Sequence, residues 1–161
     1  MIATDRLAML PLKVEYAGAM AKVLADPSLY TFTGGEPPTV DVLEARYARQ
    51  LEGPGREDEQ WLNWVIQHDD DLIGFVQATI TSGTAEIAWV IGTAWQGRGY
   101  AKEAAQGLVT WLRAQNNIDR IIAHVHPDHT ASAAVAAAVG LARTDVVEDG
   151  EYLWSTERQA R

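Results

Sequence analysis

The spacing of apolar residues predicts two helices in the first third of the chain. An apolar stripe at intervals of three and four residues runs through 17–24 and ends at Asp26-Pro27. Two glycines and two prolines then fill the loop 33–38, which cannot continue a helix. Thr39 suits the N-cap of a second helix. The residues predicted to form its buried side are Val40, Leu43, Tyr47 and Leu51.

The middle of the chain changes to the pattern of β-strands. The segments 61–68, 72–80 and 85–91 are rich in aromatic and β-branched residues and are separated by short turns. Because a short turn can join only antiparallel neighbours, these segments predict an antiparallel meander.

The last part alternates between helices and strands. The predicted elements are a helix at 101–112, a strand at 120–126, an alanine-rich helix at 130–139 capped by Gly140, and a hairpin turning at Asp149-Gly150. A helix that links strand 85–91 to strand 120–126 makes those two strands parallel. The sequence therefore predicts one α+β domain over residues 1–161, with a mostly antiparallel sheet, one parallel strand pair and flanking helices.

Composition narrows the class of protein. The chain has 161 residues, 47% of them hydrophobic, which is typical of a globular domain. Thirteen basic against 22 acidic residues give a net charge of −9, so we expect no nucleic-acid partner and favour a cationic small molecule or peptide. The absence of cysteine excludes disulfides and a cysteine nucleophile. With neither a membrane-length apolar run nor a signal peptide, we expect a cytoplasmic protein without a membrane partner.

The glycine-rich turn at residues 96–101 is the first candidate site. Gly97 and Gly99 stand between a strand and a helix, where backbone amides and the helix N-terminus can bind a phosphate. A plain strand-to-helix turn has the same composition, and both interpretations remain open at this point. Lys102 occupies the place of the third glycine of the dinucleotide-binding fingerprint, which argues against that motif.

Beyond the turn itself, four segments together resemble the GNAT superfamily of N-acetyltransferases. Gln96-Gly97-Arg98-Gly99-Tyr100-Ala101 matches the family's acetyl-CoA pyrophosphate loop, and residues 85–92 resemble the strand before it. Residues 4–7 resemble the opening of the Rim-type branch, the ribosomal-protein alanine acetyltransferases and their relatives. His129-x-x-Ser132 followed by Gly140 resembles that branch's Asn-x-x-Ser…Gly-Phe segment, with His129 and Leu141 as departures.

The resemblance implies acetyl-CoA as co-substrate and no metal. Its pantetheine arm would pair with exposed backbone of the strand before the loop, and its pyrophosphate would bind the loop amides. The residues implied in cofactor binding are Trp89, Val90, Ile91, Gln96, Gly97, Arg98, Gly99, Tyr100, Ala101, Lys102, His129 and Ser132. The reaction would be direct attack of a primary amine on the thioester in a ternary complex.

Such an attack needs a base for the ammonium proton and a proton donor for the thiolate. Glu86 is the only ionisable side chain in 85–91 and is our candidate base, with a solvated strand residue as the competing interpretation. Ser132 is the candidate donor, although a hydroxyl in a first helical turn also bonds to the backbone. Candidate acceptor contacts are Phe32, Glu36 and Trp64, while the acceptor itself and the choice between monomer and homodimer stay open.

Two alternatives have their own sequence signals. His124, His126 and His129 lie close in sequence, and three imidazoles can bind zinc, so a histidine-based metallohydrolase is the alternative of a different class. A catalytically inactive CoA-binding module of the same fold is the other.

Overall fold

In the computed structural model, which describes residues 1–156, the strands form one eight-stranded sheet in the order β1-β2-β3-β4-β5-β6-β8-β7. The strands are β1 (Ile2–Ala3), β2 (Ala8–Pro11), β3 (Glu59–His68), β4 (Asp71–Thr81), β5 (Thr84–Ile91), β6 (Arg120–Val125), β7 (Ala142–Glu148) and β8 (Glu151–Ser155). The helices are α1 (Ala17–Val23), α2 (Val40–Glu52), α3 (Tyr100–Arg113) and α4 (Thr130–Ala138). Helices α1 and α2 pack on one face of the sheet, and α3 and α4 pack on the other.

The structure confirms the predicted fold class. Strands β3, β4 and β5 form the antiparallel meander, and β5 and β6 form the parallel pair. Asp149 and Gly150 have φ angles of 51° and 79°, as a type I′ hairpin turn requires. Thr39 caps α2 by accepting a hydrogen bond from the amide of Val42, and Gly140 follows α4 with φ at 94°. The amide of Leu141 then donates to the carbonyl of Ala136, which completes a Schellman motif.

Strands β1 and β2 were not predicted, because two and four residues are too few to show a period of two. They form an antiparallel edge next to β3, with Met9 opposite Ile66 and fully buried. The sheet therefore begins before the first predicted element, and the chain's opening residues lie over α3.

The predicted buried side of α2 was half wrong. Leu43 and Tyr47 are 1% and 5% exposed, but Val40 and Leu51 are 41% and 54% exposed. Only the middle turns of α2 lie over Val65 and α1, whereas the two ends extend past this cluster into solvent.

The parallel pair is short, and this feature positions the site. Residues Thr84, Ala85 and Glu86 pair with Arg120, Ile121 and Ile122, and the ladder stops there. In the described part of the chain, β5 continues to Ile91 with no partner strand on that side, while β6 continues alongside β8 instead. A gap therefore opens between β5 and β6 beyond Glu86. Within residues 1–156, none of the helices is both long and apolar enough to span a membrane.

Candidate active site

The edge of β5 that faces the gap carries backbone groups that pair with no strand among residues 1–156. The two-residue turn at 82–83 makes Thr81 and Thr84 a hydrogen-bonded pair, so even-numbered residues of β5 bond to β4. The amides and carbonyls of the odd-numbered residues of β5 point away from β4, toward β6 and the gap. The amide and carbonyl of Trp89 and the amide of Ile91 therefore face the gap, whereas the backbone of Val90 faces β4, which differs from its predicted role. An extended ligand in the gap can satisfy these groups in place of a strand.

The glycine turn lies at the end of this open edge. Gly97 and Gly99 have φ angles of 79° and 81°, the left-handed region that glycine adopts without strain. Apart from Gly97 and its two chain neighbours, no described residue has an atom within 4 Å of the position that a Cβ on Gly97 would take, so the turn is open above its backbone. Gln96 donates a hydrogen bond of 2.9 Å to the carbonyl of Ile91, which ties the turn to β5.

The side chains predicted to bind the cofactor around the turn differ in their exposure. Arg98 and Lys102 are exposed and add positive charge beside the N-terminus of α3. Tyr100 is 6% exposed, and its hydroxyl lies 3.1 Å from Nε2 of His68. Tyr100 therefore anchors the turn to the core and leaves only its backbone for binding. The half-buried Ala101 packs against the same core.

A brace that sequence analysis did not assign holds the turn from the N-terminal segment. Nε of Arg6 lies 2.6 Å from Oε1 of Glu103 in the first turn of α3, and Thr4 donates to the same carboxylate. Nη1 of Arg6 donates to the carbonyl of Arg98 at 3.0 Å, and its guanidinium lies 4.5 Å from the ring centroid of Tyr100. Residues 4–7, noted only as part of a resemblance, thus fix the position of the glycine turn.

We expect this brace to make stability depend on pH. Burial alone would raise the pKa of Glu103, but the hydrogen bonds from Thr4 and Arg6 and the charge of Arg6 bring it below the ordinary value. A lowered folded-state pKa stabilises the protein above the unfolded-state pKa, and this stability is lost as pH falls through the folded-state pKa. Glu103→Gln should lower the free energy of unfolding at pH 7 by about 1–3 kcal/mol. Urea denaturation of both proteins measures the difference in the free energy of unfolding, which should be smaller at pH 3 than at pH 7.

Glu44→Gln, an exposed substitution on α2, is the matched control and should change little at either pH. A deficit of Glu103→Gln that is as large at pH 3 as at pH 7 would contradict the ionic character of the brace.

A second cluster lies where β5 and β6 separate. Nδ1 of His124 lies 3.0 Å from Glu86, and its Nε2 lies 3.3 Å from Glu148 on β7. Burial would lower the pKa of His124, but the hydrogen bonds and charges of the two glutamates outweigh it and raise that pKa above the ordinary value. Glu86 is 50% exposed and faces the side of the sheet that carries α1 and α2. It is therefore accessible to a ligand at the mouth of the gap.

Three of the predicted site residues, Phe32, His129 and Ser132, contact one another at the start of α4. The ring of Phe32 stacks on His129 at 4.5 Å and 16°, and it also contacts His126 at 5.1 Å. Oγ of Ser132 lies 3.3 Å from Nε2 of His129. Burial and the neighbouring charge of His126 lower the pKa of His129, which favours a neutral imidazole.

Glu36 and Trp64 lie outside this cluster. Glu36 is an exposed residue of the loop before α2. Trp64 is 6% exposed, and its ring packs edge-on against Trp111 of α3 at 5.4 Å, on the opposite face of the sheet from Glu86. Their predicted contacts with an acceptor stay predictions.

The histidines do not form a metal-binding arrangement. Within residues 1–156, no three histidine, aspartate or glutamate side chains are placed to hold a metal ion together. His124 is held between two glutamates, and Nδ1 of His126 accepts a hydrogen bond from the amide of Asp128 at 3.0 Å. The geometry therefore gives the metallohydrolase alternative no support.

Comparisons with known proteins agree with this geometry. Residues 6–142 match the model of the acetyltransferase (GNAT) domain. An uncharacterized N-acetyltransferase, p20 of Bacillus licheniformis, is 27% identical over 157 residues, covering 92% of this chain and 85% of the relative. The structure of RimL, a ribosomal L7/L12 alpha-N-protein acetyltransferase in complex with coenzyme A, matches with a TM-score of 0.80 at 16% identity, covering 98% of this chain and 97% of RimL. The microcin C7 self-immunity acetyltransferase MccE, solved with acetyl-CoA and AMP, gives 0.78 at 16% identity over 95% and 93% of the two chains. The chain belongs to the GNAT acetyltransferase family.

Proposed function

We propose that this protein transfers the acetyl group of acetyl-CoA to a primary amine, by direct attack of the amine on the thioester in a ternary complex. The observation that carries the proposal is the open edge of β5, which begins at Glu86 and ends at the glycine turn. A thioester held along that edge would have a carboxylate at one end and a phosphate-binding turn at the other.

The open edge and the turn suit the two halves of acetyl-CoA. The amides of residues 97–101 and the N-terminus of α3 suit its pyrophosphate, and Arg98 and Lys102 add charge. The amide and carbonyl of Trp89 and the amide of Ile91 suit the amides of the pantetheine arm. RimL and MccE, which share the fold, bind coenzyme A and acetyl-CoA, respectively.

The chemistry needs two proton transfers. Glu86 accepts a proton from the arriving ammonium, directly or through water, and the neutral amine then attacks the thioester carbonyl. A C–N bond forms, the C–S bond breaks, and the thiolate takes up a proton from Ser132 or from water. His124, held between Glu86 and Glu148, orients the Glu86 carboxylate.

A thiol-release screen of acyl-CoAs against a panel of amines tests this function. We expect acetyl-CoA to be consumed with at least one amine, at a rate unchanged by a metal chelator. Coenzyme A binding without release of thiol from any acceptor would identify an inactive binding module. Stoichiometric zinc, with activity lost on chelation, would favour a metallohydrolase instead.

His129→Asn restores the residue usual in the Rim-type branch, and we expect it to be tolerated. A neutral imidazole and an amide can each donate and accept one hydrogen bond, so Asn can serve Ser132 as His129 does. Coenzyme A affinity, measured by calorimetry, should stay within about tenfold of wild type. Loss of turnover with coenzyme A still bound would make His129 part of the chemistry.

A further inference from the structure

A groove between α2 and the sheet lies on the same face as Glu86 and has no part in the function proposed above. It consists of two adjoining pockets of about 290 and 270 Å³ that share four lining residues, Arg46, Gln50, Asn63 and Gln77. The first pocket is also lined by Arg49, Trp61 and Thr79. The second deepens toward the apolar side chains of Leu43, Tyr47 and Phe75. Together they are large enough for a small-molecule ligand.

The floor of the groove leads directly to the mouth of the gap. On β4, Gln77 lies opposite Ala88 and Thr79 lies opposite Glu86. Residues paired across antiparallel strands present their side chains to the same face, so the floor continues from β3 and β4 to the Glu86 carboxylate. A ligand that lies in the groove can therefore reach Glu86 without crossing the sheet.

The groove is a basic region on an acidic protein. Arg46 and Arg49 are exposed on α2, and within residues 1–156 neither forms an ion pair with a carboxylate. The neutral amides of Asn63 and Gln77 lie on the sheet beneath α2, and the amide of Gln50 lines the groove from α2 itself. In a chain of net charge −9, two such guanidinium groups over an amide floor attract an anion rather than a cation.

Glu59, which contacts Trp61 at the side of the groove, does not neutralise these arginines. Glu59 accepts a hydrogen bond of 2.8 Å from Nε1 of Trp61 and pairs with Arg56 at 3.1 Å. The carboxylate thus holds the indole at the side of the groove and is itself paired outside it. Burial raises the pKa of Tyr47 to about 12, so the phenol also stays uncharged.

We propose that the acceptor carries an anionic group, a carboxylate or a phosphate, which binds Arg46 and Arg49 while its amine reaches Glu86. The inference rests on the proposed acetyl transfer. Arg46 and Arg49 line the first pocket together with Trp61 of β3, and β3 lies two strand spacings from β5, so an anion at the β3 side of this pocket would lie about 10 Å from Glu86. An extended tripeptide with a free C-terminus spans about that distance. An acceptor with positive charges only would meet the two arginines unfavourably.

Matched acceptors test the anion directly. Triglycine is compared with triglycinamide, and 6-aminohexyl phosphate with 6-aminohexanol, in the thiol-release assay with acetyl-CoA. We expect kcat/KM to be at least about tenfold higher for one anionic acceptor than for its neutral partner. The peptide pair and the phosphate pair distinguish the two sources of the anion. Equal kcat/KM within both pairs, or a preference for 1,6-diaminohexane, would overturn the inference.

Substitutions in the groove test which residues bind the anion. Arg46→Gln with Arg49→Gln should raise KM for the anionic acceptor by about tenfold or more and leave KM for its neutral partner and coenzyme A affinity unchanged. Arg113→Gln, an exposed arginine on α3 across the sheet, is the control and should change neither KM. An equal rise in KM for the anionic acceptor and for its neutral partner in the double variant would overturn the inference.

A binding measurement separates this inference from the proposed function. If no acceptor releases thiol, the proposed acetyl transfer fails, and N-acetyltriglycine and 6-acetamidohexyl phosphate are each titrated into the coenzyme A-loaded protein by calorimetry. Binding that the double substitution abolishes would still support an anion site in the groove. Absence of binding, or equal binding to wild type and the double variant, would overturn it.

Discussion

Glu86→Gln should lower turnover by roughly 100-fold or more at neutral pH, the usual scale for loss of a general base. The amine arrives as an ammonium ion and must lose a proton before it attacks, and glutamine keeps the shape of the side chain but cannot take that proton. Coenzyme A affinity should hardly change, because the glycine turn lies at the other end of β5. The loss should shrink as pH rises, since more of the acceptor is then already neutral. A pH–rate profile for both proteins, with an acceptor from the screen, measures it.

The matched control is Glu57→Gln, an exposed acid in the loop after α2 that should leave turnover unchanged. If Glu86→Gln runs at the wild-type rate, Glu86 is not the base, and Glu36 becomes the first alternative base. The structure adds a second readout through His124, which lies 3.0 Å from Glu86. Removing that negative charge should lower the pKa of His124 toward its ordinary value, which an NMR titration of the imidazole follows. A normal rate with a shifted His124 would mean that Glu86 only holds the histidine.

The fold could be predicted where local signals agree with the tertiary structure. The meander, the crossover helix and the hairpin at Asp149-Gly150 are each indicated by the spacing of apolar residues or by turn residues within about ten positions of sequence. Strands β1 and β2 are too short for such a signal and form only because β3 offers them an edge. The ends of α2 were wrongly predicted to be buried for a related reason. Its apolar residues extend from Val40 to Leu51, which is farther than the surface on which the helix packs.

Only those parts of the site that lie within one continuous stretch of sequence could be predicted. The two glycines Gly97 and Gly99 predict the turn. Glu86 could be singled out because it is the only ionisable residue of the strand segment 85–91, which borders the gap. Contacts between distant segments have no such signal. Arg6 braces Glu103 from 97 positions away in the sequence, and Glu148 reaches His124 across 24. The arginines of α2 and the amides of β3 and β4 likewise become a groove only when α2 packs on the sheet.

Gly99→Glu should weaken coenzyme A binding by at least about tenfold, some 1.4 kcal/mol. Gly99 is the N-cap of α3, at the point where the helix amides are free to bind a pyrophosphate. A glutamate there puts a negative charge beside that phosphate, and its Cβ would lie 3.4 Å from Nη2 of Arg6, which braces the turn. Calorimetry with coenzyme A measures the affinity, and circular dichroism checks that the variant is folded.

Strain has to be separated from the loss of a phosphate site, because φ at Gly99 is 81° and a side chain is disfavoured there. Gly55→Glu provides the control. Gly55 has φ at 71° in the exposed loop after α2, and beyond its two chain neighbours no residue in 1–156 has an atom within 4 Å of its Cβ position. Gly55→Glu therefore brings a comparable backbone strain and the same added charge. If strain alone mattered, both variants would lose stability and neither would lose affinity specifically. We expect a stability loss in both and an affinity loss only in Gly99→Glu. A folded Gly99→Glu protein that binds coenzyme A as wild type does would mean that the phosphates bind elsewhere.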